Sequence, residues 1–191
     1  HNHESSIEVF TTRPDTIYGV SFIVLAPEHD LVKKIVTSQT APFVKKYCNQ
    51  IKLKTEKERQ SNIKNITGVF SGSYAIHPFT KKMLPIWIAE YVLASYGTGA
   101  IMAVPCGDQR DWNFAKHFNL ETPNIFDKKD ISEKACTDKS ATITNSSFLN
   151  DLKVQEAIKV AIQEIDKQKI GTRKINYRIR DAIFSRQRYW G

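Results

Sequence analysis

Three short constellations in this 191-residue sequence carry side chains suited to chemistry. The first is Thr11-Thr12-Arg13-Pro14-Asp15-Thr16, where three hydroxyls, a guanidinium and a carboxylate crowd one turn and bring several donors to one spot. The structural alternative is that threonine suits strands and a Pro-Asp pair suits a turn. The second is Gly97-Thr98-Gly99, whose paired glycines let a ligand approach the backbone. It matches neither a Walker loop nor a dinucleotide fingerprint, and a bulge at a sheet corner explains it equally well. The third is Asp108 with Asp111, spaced i and i+3 at a helix start. A capping role accounts for Asp108, and both carboxylates suit the positive end of a helix dipole. Two carboxylates on one face also suit holding an ammonium group or orienting a water, and Asp111 is less fully explained as a cap.

Other chemistries find little support. His29, His77 and His117 are scattered without metal-ligand spacing, and no nucleophile elbow occurs. Cys48, Cys106 and Cys136 lie far apart and form no CxxC pair, so neither a disulfide framework nor a structural zinc site is indicated. That usage points to a reducing, cytoplasmic setting. The longest apolar runs are too short to span a bilayer, and the start has no secretory apolar region. It also lacks an initiator Met, as expected of a piece of a longer chain.

The elements that must position these residues follow from periodicity. Ile7 to Thr11 alternates like a strand, a turn follows at Arg13-Pro14-Asp15, and Val20 to Leu25 reads as a second strand. Pro27-Glu28-His29-Asp30 resembles a helix start, with Leu31, Val32, Ile35 and Val36 on one face. Residues 41–65 are lysine-rich and helical or loop-like, while Gly68 to Tyr74, Met83 to Leu93 and Ala100 to Val104 read as strands. Gly107 to Trp112 opens a helix, and the stretch 121–147 is loop-like with short strands. The clearest helix spans about Asp151 to Gln168, with Asn150 or Asp151 as its cap and Gly171 at its C-terminal end. Strands outnumber helices without βαβ alternation, which predicts an α+β domain: a β-barrel-like sheet core with surrounding helices.

Charge is the unusual feature of the composition, with 28 Lys+Arg against 20 Asp+Glu and a net charge of +8. A polyanionic partner would fit. The excess sits in two stretches, 45–65 and 171–191, and the remainder is near neutral. A solvated lysine-rich face is the default reading of the first.

Several stretches, in order, closely resemble the editing insertion of leucyl-tRNA synthetase, in its bacterial or organellar form. They are TTRPDTIYGVSFIVLAPEH at 11–29, PIWIAEYVLASYGTGAIMAVP at 85–105 and DQRDWNFA at 108–115. SRQRYWG at 185–191 is similar to the point where such a chain re-enters its catalytic core, which implies an editing domain at 1–172 and a return segment at 173–191. The implied activity is hydrolysis of the ester between a wrong amino acid (valine, isoleucine or norvaline) and the terminal adenosine of leucine tRNA. A hydrophobic pocket separates side chains differing by one methylene by only about 10–200-fold, so errors need a second sieve.

The resemblance also implies roles. Thr16 would block the leucine side chain, with Met102 and Val104 as pocket wall. Asp111 would grip the substrate ammonium; Thr11, Thr12 and Arg13 would surround the scissile ester and its water; Leu93 and Tyr96 would hold the adenosine. Thr12, Arg13, Asp108 and Asp111 are the candidate catalytic residues, and neither a metal nor a cofactor is implied for editing. ATP would serve only the full-length synthetase, whose core motifs this sequence lacks. The implied partners are leucine tRNA and the remainder of a monomeric synthetase chain, with no membrane. One departure is Cys106-Gly107, where the family more often has a small residue followed by His, so an imidazole beside Asp108 is missing. A catalytically inactive tRNA-binding module is the alternative reading.

Overall fold

The computed structural model describes residues 6–61 and 65–174. Four strands, β1 (Phe22–Leu25), β2 (Val69–Ile76), β3 (Met83–Ile88) and β4 (Ala100–Ala103), form one sheet in the order β2-β3-β1-β4. The β1–β3 pair is parallel, with Val24 opposite Trp87, and the other two pairs are antiparallel. Among the described residues five helices accompany it: α1 (Val32–Ile35), α2 (Ala41–Ile51), α3 (Glu56–Ser61), α4 (Gln109–His117) and α5 (Val154–Lys167).

Central β1 is buried at all four positions, because both sheet faces are covered. Ile23 and Leu25 join a core with Ile86, Ile88 and the α5 residues Ala157 and Ala161. Phe22 and Val24 face the opposite core with Ala103, Phe114 and Ala115 of α4. There the Phe22 and Phe114 rings stack at 5.4 Å, and Trp87 meets Phe114 edge-on at 5.5 Å. A strand buried on both faces reads as a continuous apolar run, which is what Phe22-Ile23-Val24-Leu25 supplies.

The α+β composition holds, but among the described residues the sheet is open and no barrel closes. Closure would pair the two edge strands, β2 and β4, and they are not partners. The strand expected at Ile7 to Thr11 does not form, and its residues carry no regular structure. A side chain takes one of its carbonyls instead, the Thr98 hydroxyl donating to Glu8 O at 2.7 Å, and Thr11 Oγ1 accepts the Arg13 N–H at 3.0 Å where the turn begins. The turn after it is a 3₁₀ segment, Pro14–Gly19.

Other boundaries shift for local reasons. The helix expected from Pro27 shrinks to α1, since His29 Nδ1 accepts the Leu31 N–H at 3.1 Å and holds a turn there. The strand from Met83 stops at Ile88, leaving residues 89–99 as turns. Helix α5 starts at Val154 with Lys153 at its cap position and no side-chain cap. Asn150 is engaged elsewhere, its Oδ1 accepting the Ser146 N–H at 2.7 Å, and Asp151 sits at φ +66°. Lys169, at φ +55°, takes the left-handed position expected of Gly171. The stretch 121–147 contributes only isolated bridges, such as Phe126 with Ile143.

His77 ties the β2–β3 hairpin to the 3₁₀ segment. Its Nδ1 accepts the Phe79 and Thr80 N–H groups, both at 3.1 Å, which leaves the proton on Nε2 to donate to Ile17 O at 2.9 Å. Burial lowers its pKa from 6.5, and Lys81 and Lys82 push the same way against the Ile17 bond. The unfolded state therefore binds more protons below that value, and this contribution to stability is lost as pH falls beneath it. The melting temperature of the wild type is expected to drop more steeply than that of His77→Asn on acidification from about pH 7 to 5. Parallel melting curves for the two proteins would exclude this role.

Candidate functional site

The 3₁₀ segment, the turns after β3, the end of β4 and the start of α4 enclose a cavity of about 550 Å³. Thr11, Thr12, Arg13, Thr16, Leu93, Tyr96, Met102, Val104, Asp108 and Asp111 all line it. The structure thus brings together every site residue expected from the sequence. A second recess of about 510 Å³, beside α2, contains none of them.

The local chemistry of each wall follows from its sequence. Proline at the first position suits the 3₁₀ start, and the bend lets Arg13 reach forward to Asp15. Arg13 Nε donates to Asp15 Oδ1 at 2.9 Å and Nη2 to Oδ2 at 2.8 Å, a two-pronged pair on a fully buried carboxylate. That hydrogen bond raises the Arg13 pKa, so the guanidinium stays charged at the cavity edge. The Thr16 hydroxyl donates to Arg13 O at 2.8 Å, which pins this buried side chain against its own turn.

Asp108 caps α4, its Oδ1 accepting the Arg110 N–H at 2.8 Å and the Asp111 N–H at 3.3 Å. The capping explanation of Asp108 is therefore realised. Asp111 does something else. It is only 5% exposed, its Oδ1 accepts the Tyr91 hydroxyl at 2.9 Å and its Oδ2 accepts the Val104 N–H at 2.8 Å. Burial pushes its carboxyl up to about 7 and Asp108 adds to the rise; the Val104 N–H, the Tyr91 hydroxyl and Arg110 oppose it. Among the described residues no cationic side chain is bonded to this buried carboxyl, an arrangement suited to accepting a cation from a ligand.

At the other end, Tyr96 is 54% exposed and its ring meets Phe10 edge-on at 5.8 Å. Gly97 is required here for two reasons: its φ is +62°, and a Cβ would lie 2.6 Å from Phe10 Cβ. The glycine pair thus shapes a turn at the cavity mouth; it is not a barrel-corner bulge. Gly107 differs, since an added Cβ would make only ordinary contacts, 3.5 Å to Val104 Cγ1 and 3.7 Å to Phe126. No backbone requirement explains the missing side chain beside Asp108.

Sequence reasoning missed the support behind the turn at 90–93. Arg59 is buried, donating to Glu90 O at 2.9 Å, Val92 O at 2.7 Å and Glu28 Oε1 at 2.7 Å. Glu90 in turn takes Lys54 Nζ at 2.7 Å and the Thr67 hydroxyl at 2.6 Å, while its N–H donates to the Tyr47 hydroxyl at 2.9 Å. Two members of the basic 45–65 stretch are therefore internal braces. No hydrophobic period marks such residues, because their partners are distant in sequence. The second basic stretch falls almost wholly on 175–191, outside the described residues.

Cys106 does not line the cavity; it is fully buried, and burial pushes its thiol up to about 12. It stays protonated and is no nucleophile. Among the described residues, no group of three or more His, Cys, Asp or Glu is clustered to hold a metal ion, and no helix is long and apolar enough to cross a membrane. What the cavity offers is hydroxyls, a fixed guanidinium and a buried carboxylate around a space of about 550 Å³.

The open mixed sheet and this cavity define the chain as an α+β ligand-pocket domain with no local nucleophile signature. It belongs to the leucyl-tRNA synthetase editing-domain family, whose model, "Leucyl-tRNA synthetase, editing domain", matches residues 1–166. Leucine–tRNA ligases from Christiangramia forsetii and Flavobacterium johnsoniae are 56% and 53% identical to it, each alignment covering 100% of this chain. The chain spans 20% of the length of each relative. The crystal structure of the ternary complex of Agrobacterium radiobacter K84 agnB2 LeuRS-tRNA-LeuAMS superposes with a TM-score of 0.71 at 28% identity, over 93% of this chain and 19% of that one.

Proposed function

We propose that the chain hydrolyses the ester joining a noncognate amino acid, of the valine, isoleucine or norvaline type, to the terminal adenosine of leucine tRNA. The observation that carries this reading is the convergence of all the expected site residues on one cavity, with a buried carboxylate inside it and an exposed tyrosine at its mouth. Family membership supports it.

In this reading Asp111 takes the substrate α-ammonium, and Tyr96 and Leu93 hold the adenosine. Thr16, Met102 and Val104 bound the space for the side chain, accepting smaller or differently branched groups and refusing leucine. Water attacks the ester carbonyl carbon, held among the Thr11 and Thr12 hydroxyls and the Arg13 guanidinium. The developing negative charge on the carbonyl oxygen falls beside that guanidinium. The bond to the ribose oxygen then breaks, that oxygen takes a proton, and free amino acid and tRNA leave. Asp108 serves by fixing the start of α4, and with it Asp111. The step draws on no cofactor; ATP belongs to the remainder of a monomeric, cytoplasmic ligase. Residues 1–172 form the editing unit, and 173–191 lead back toward that remainder.

The test is leucine tRNA charged with isoleucine or norvaline, given to the full-length ligase carrying this chain. Release well above the spontaneous rate is expected. Binding of the mischarged tRNA without release would favour an inactive positioning module instead.

A further inference from the structure

The Tyr91 side chain lies at the cavity wall, outside every role assigned above. Its hydroxyl donates to Asp111 Oδ1 at 2.9 Å, and its ring packs on Phe114 with centroids 5.5 Å apart. A phenylalanine would keep that ring packing, so the hydroxyl adds the bond to Asp111 and nothing the packing requires. The Val104 N–H holds the other carboxylate oxygen at 2.8 Å. Each oxygen keeps a second lone pair, so the two bonds orient the carboxylate without exhausting it.

Resting on the editing reading above, we propose that Tyr91 is a positioning residue: its hydroxyl clamps one oxygen of Asp111 and keeps the carboxylate presented, in its charged form, to the substrate ammonium. Burial and the Asp111 carboxylate hold the phenol well above its ordinary range, so the group remains a donor. Burial also pushes Asp111 toward its neutral form, and Tyr91 is one of the few groups opposing this. The charged groups around the pair are Asp108, which favours protonation of Asp111, and Arg110, which disfavours it. Three more line the same cavity and are already engaged: Arg13 by Asp15, Arg59 by Glu28 and Glu90 by Lys54. With the hydroxyl gone, the Val104 N–H and Arg110 alone oppose the burial.

The variant is Tyr91→Phe in the full-length ligase, assayed for release of isoleucine from mischarged leucine tRNA across the pH range. The acid limb of kcat/KM is expected to move up by about one pH unit, one neutral hydrogen bond to a charged group being worth roughly that. At about pH 7 the variant should be some fivefold slower, approaching tenfold below about pH 6, and at about pH 9 within twofold of wild type. The Asp111 carboxyl carbon, followed by NMR in this chain, should titrate higher in the variant by the same amount. A uniform loss at every pH would make Tyr91 merely structural, and unchanged profiles would remove it from the site; either overturns the proposal. If the wild type releases no isoleucine, the editing reading itself fails, whereas an active wild type with an unmoved Asp111 titration in Tyr91→Phe overturns the clamp alone.

Discussion

Replacing Asp111 with Ala is expected to slow release of a noncognate amino acid from leucine tRNA by roughly 100-fold or more. A buried carboxylate that meets a cationic group loses about 2–5 kcal/mol of interaction on truncation, and tenfold in rate corresponds to about 1.4 kcal/mol. Asp111 is buried and bonded to a hydroxyl and an N–H, and in the proposed reading the substrate α-ammonium supplies its cation. Near-normal hydrolysis by the variant would remove Asp111 from the site.

The same residue makes a second expectation with the opposite sign. Its carboxyl is raised from 3.8 to about 7 on folding, so the folded state binds the extra proton between those values. Stability then falls as pH rises through that window, and the cost is fully present above it. Asp111→Asn keeps an acceptor for the Val104 N–H and removes the charge. It should therefore be more stable than wild type at about pH 8.5, by no more than about 4 kcal/mol, with the gap in melting temperature closing in acid. Gaining stability while losing activity separates a functional carboxylate from a structural one. A variant less stable at every pH would contradict this.

Replacing Thr16 with Ala is expected to raise hydrolysis of correctly charged leucine tRNA by roughly 10–100-fold, the range that one methylene-sized change in a pocket commands. Thr16 is buried on the cavity wall, and its hydroxyl bond to Arg13 O fixes where the side chain stands. Alanine removes both the bulk and that anchor. Single-turnover deacylation with leucine on the tRNA measures the change, and a variant that still spares leucine would deny Thr16 the blocking role.

How far the sequence led can be seen residue by residue. Asp108 announced the start of α4 because a cap is a local signal, and its side chain does accept the first free N–H groups. β1 was legible because its apolar run is continuous. The barrel was not, because closure depends on pairing between distant strands, and Ile7 to Thr11 alternates like a strand while its Glu8 carbonyl accepts the Thr98 hydroxyl. The site residues were legible through the resemblance of three motifs; composition alone left the Thr-Arg-Asp turn open between chemistry and folding. Tyr91 falls within the strand expected from Met83 to Leu93, yet it lies in the turns after β3 and its hydroxyl meets Asp111 twenty positions away. Arg59 counted toward a solvated lysine-rich face, yet it is buried on two backbone carbonyls and Glu28. Long-range polar contacts of this kind leave no periodic trace.

The net charge of +8 can now be divided. Lys54 and Arg59 are neutralised on Glu90 and Glu28, so they are not free for an anionic partner.

Selective ester hydrolysis in this cavity is the function proposed for the chain. Its most direct measurement compares kcat/KM for isoleucine-charged and leucine-charged leucine tRNA with one enzyme, the full-length ligase carrying this chain. A ratio of about 100 or more in favour of isoleucine is expected, collapsing when Thr16 becomes Ala and with both rates falling when Asp111 becomes Ala. Equal release of the two amino acids by the wild type, or release that survives loss of Asp111, would contradict it.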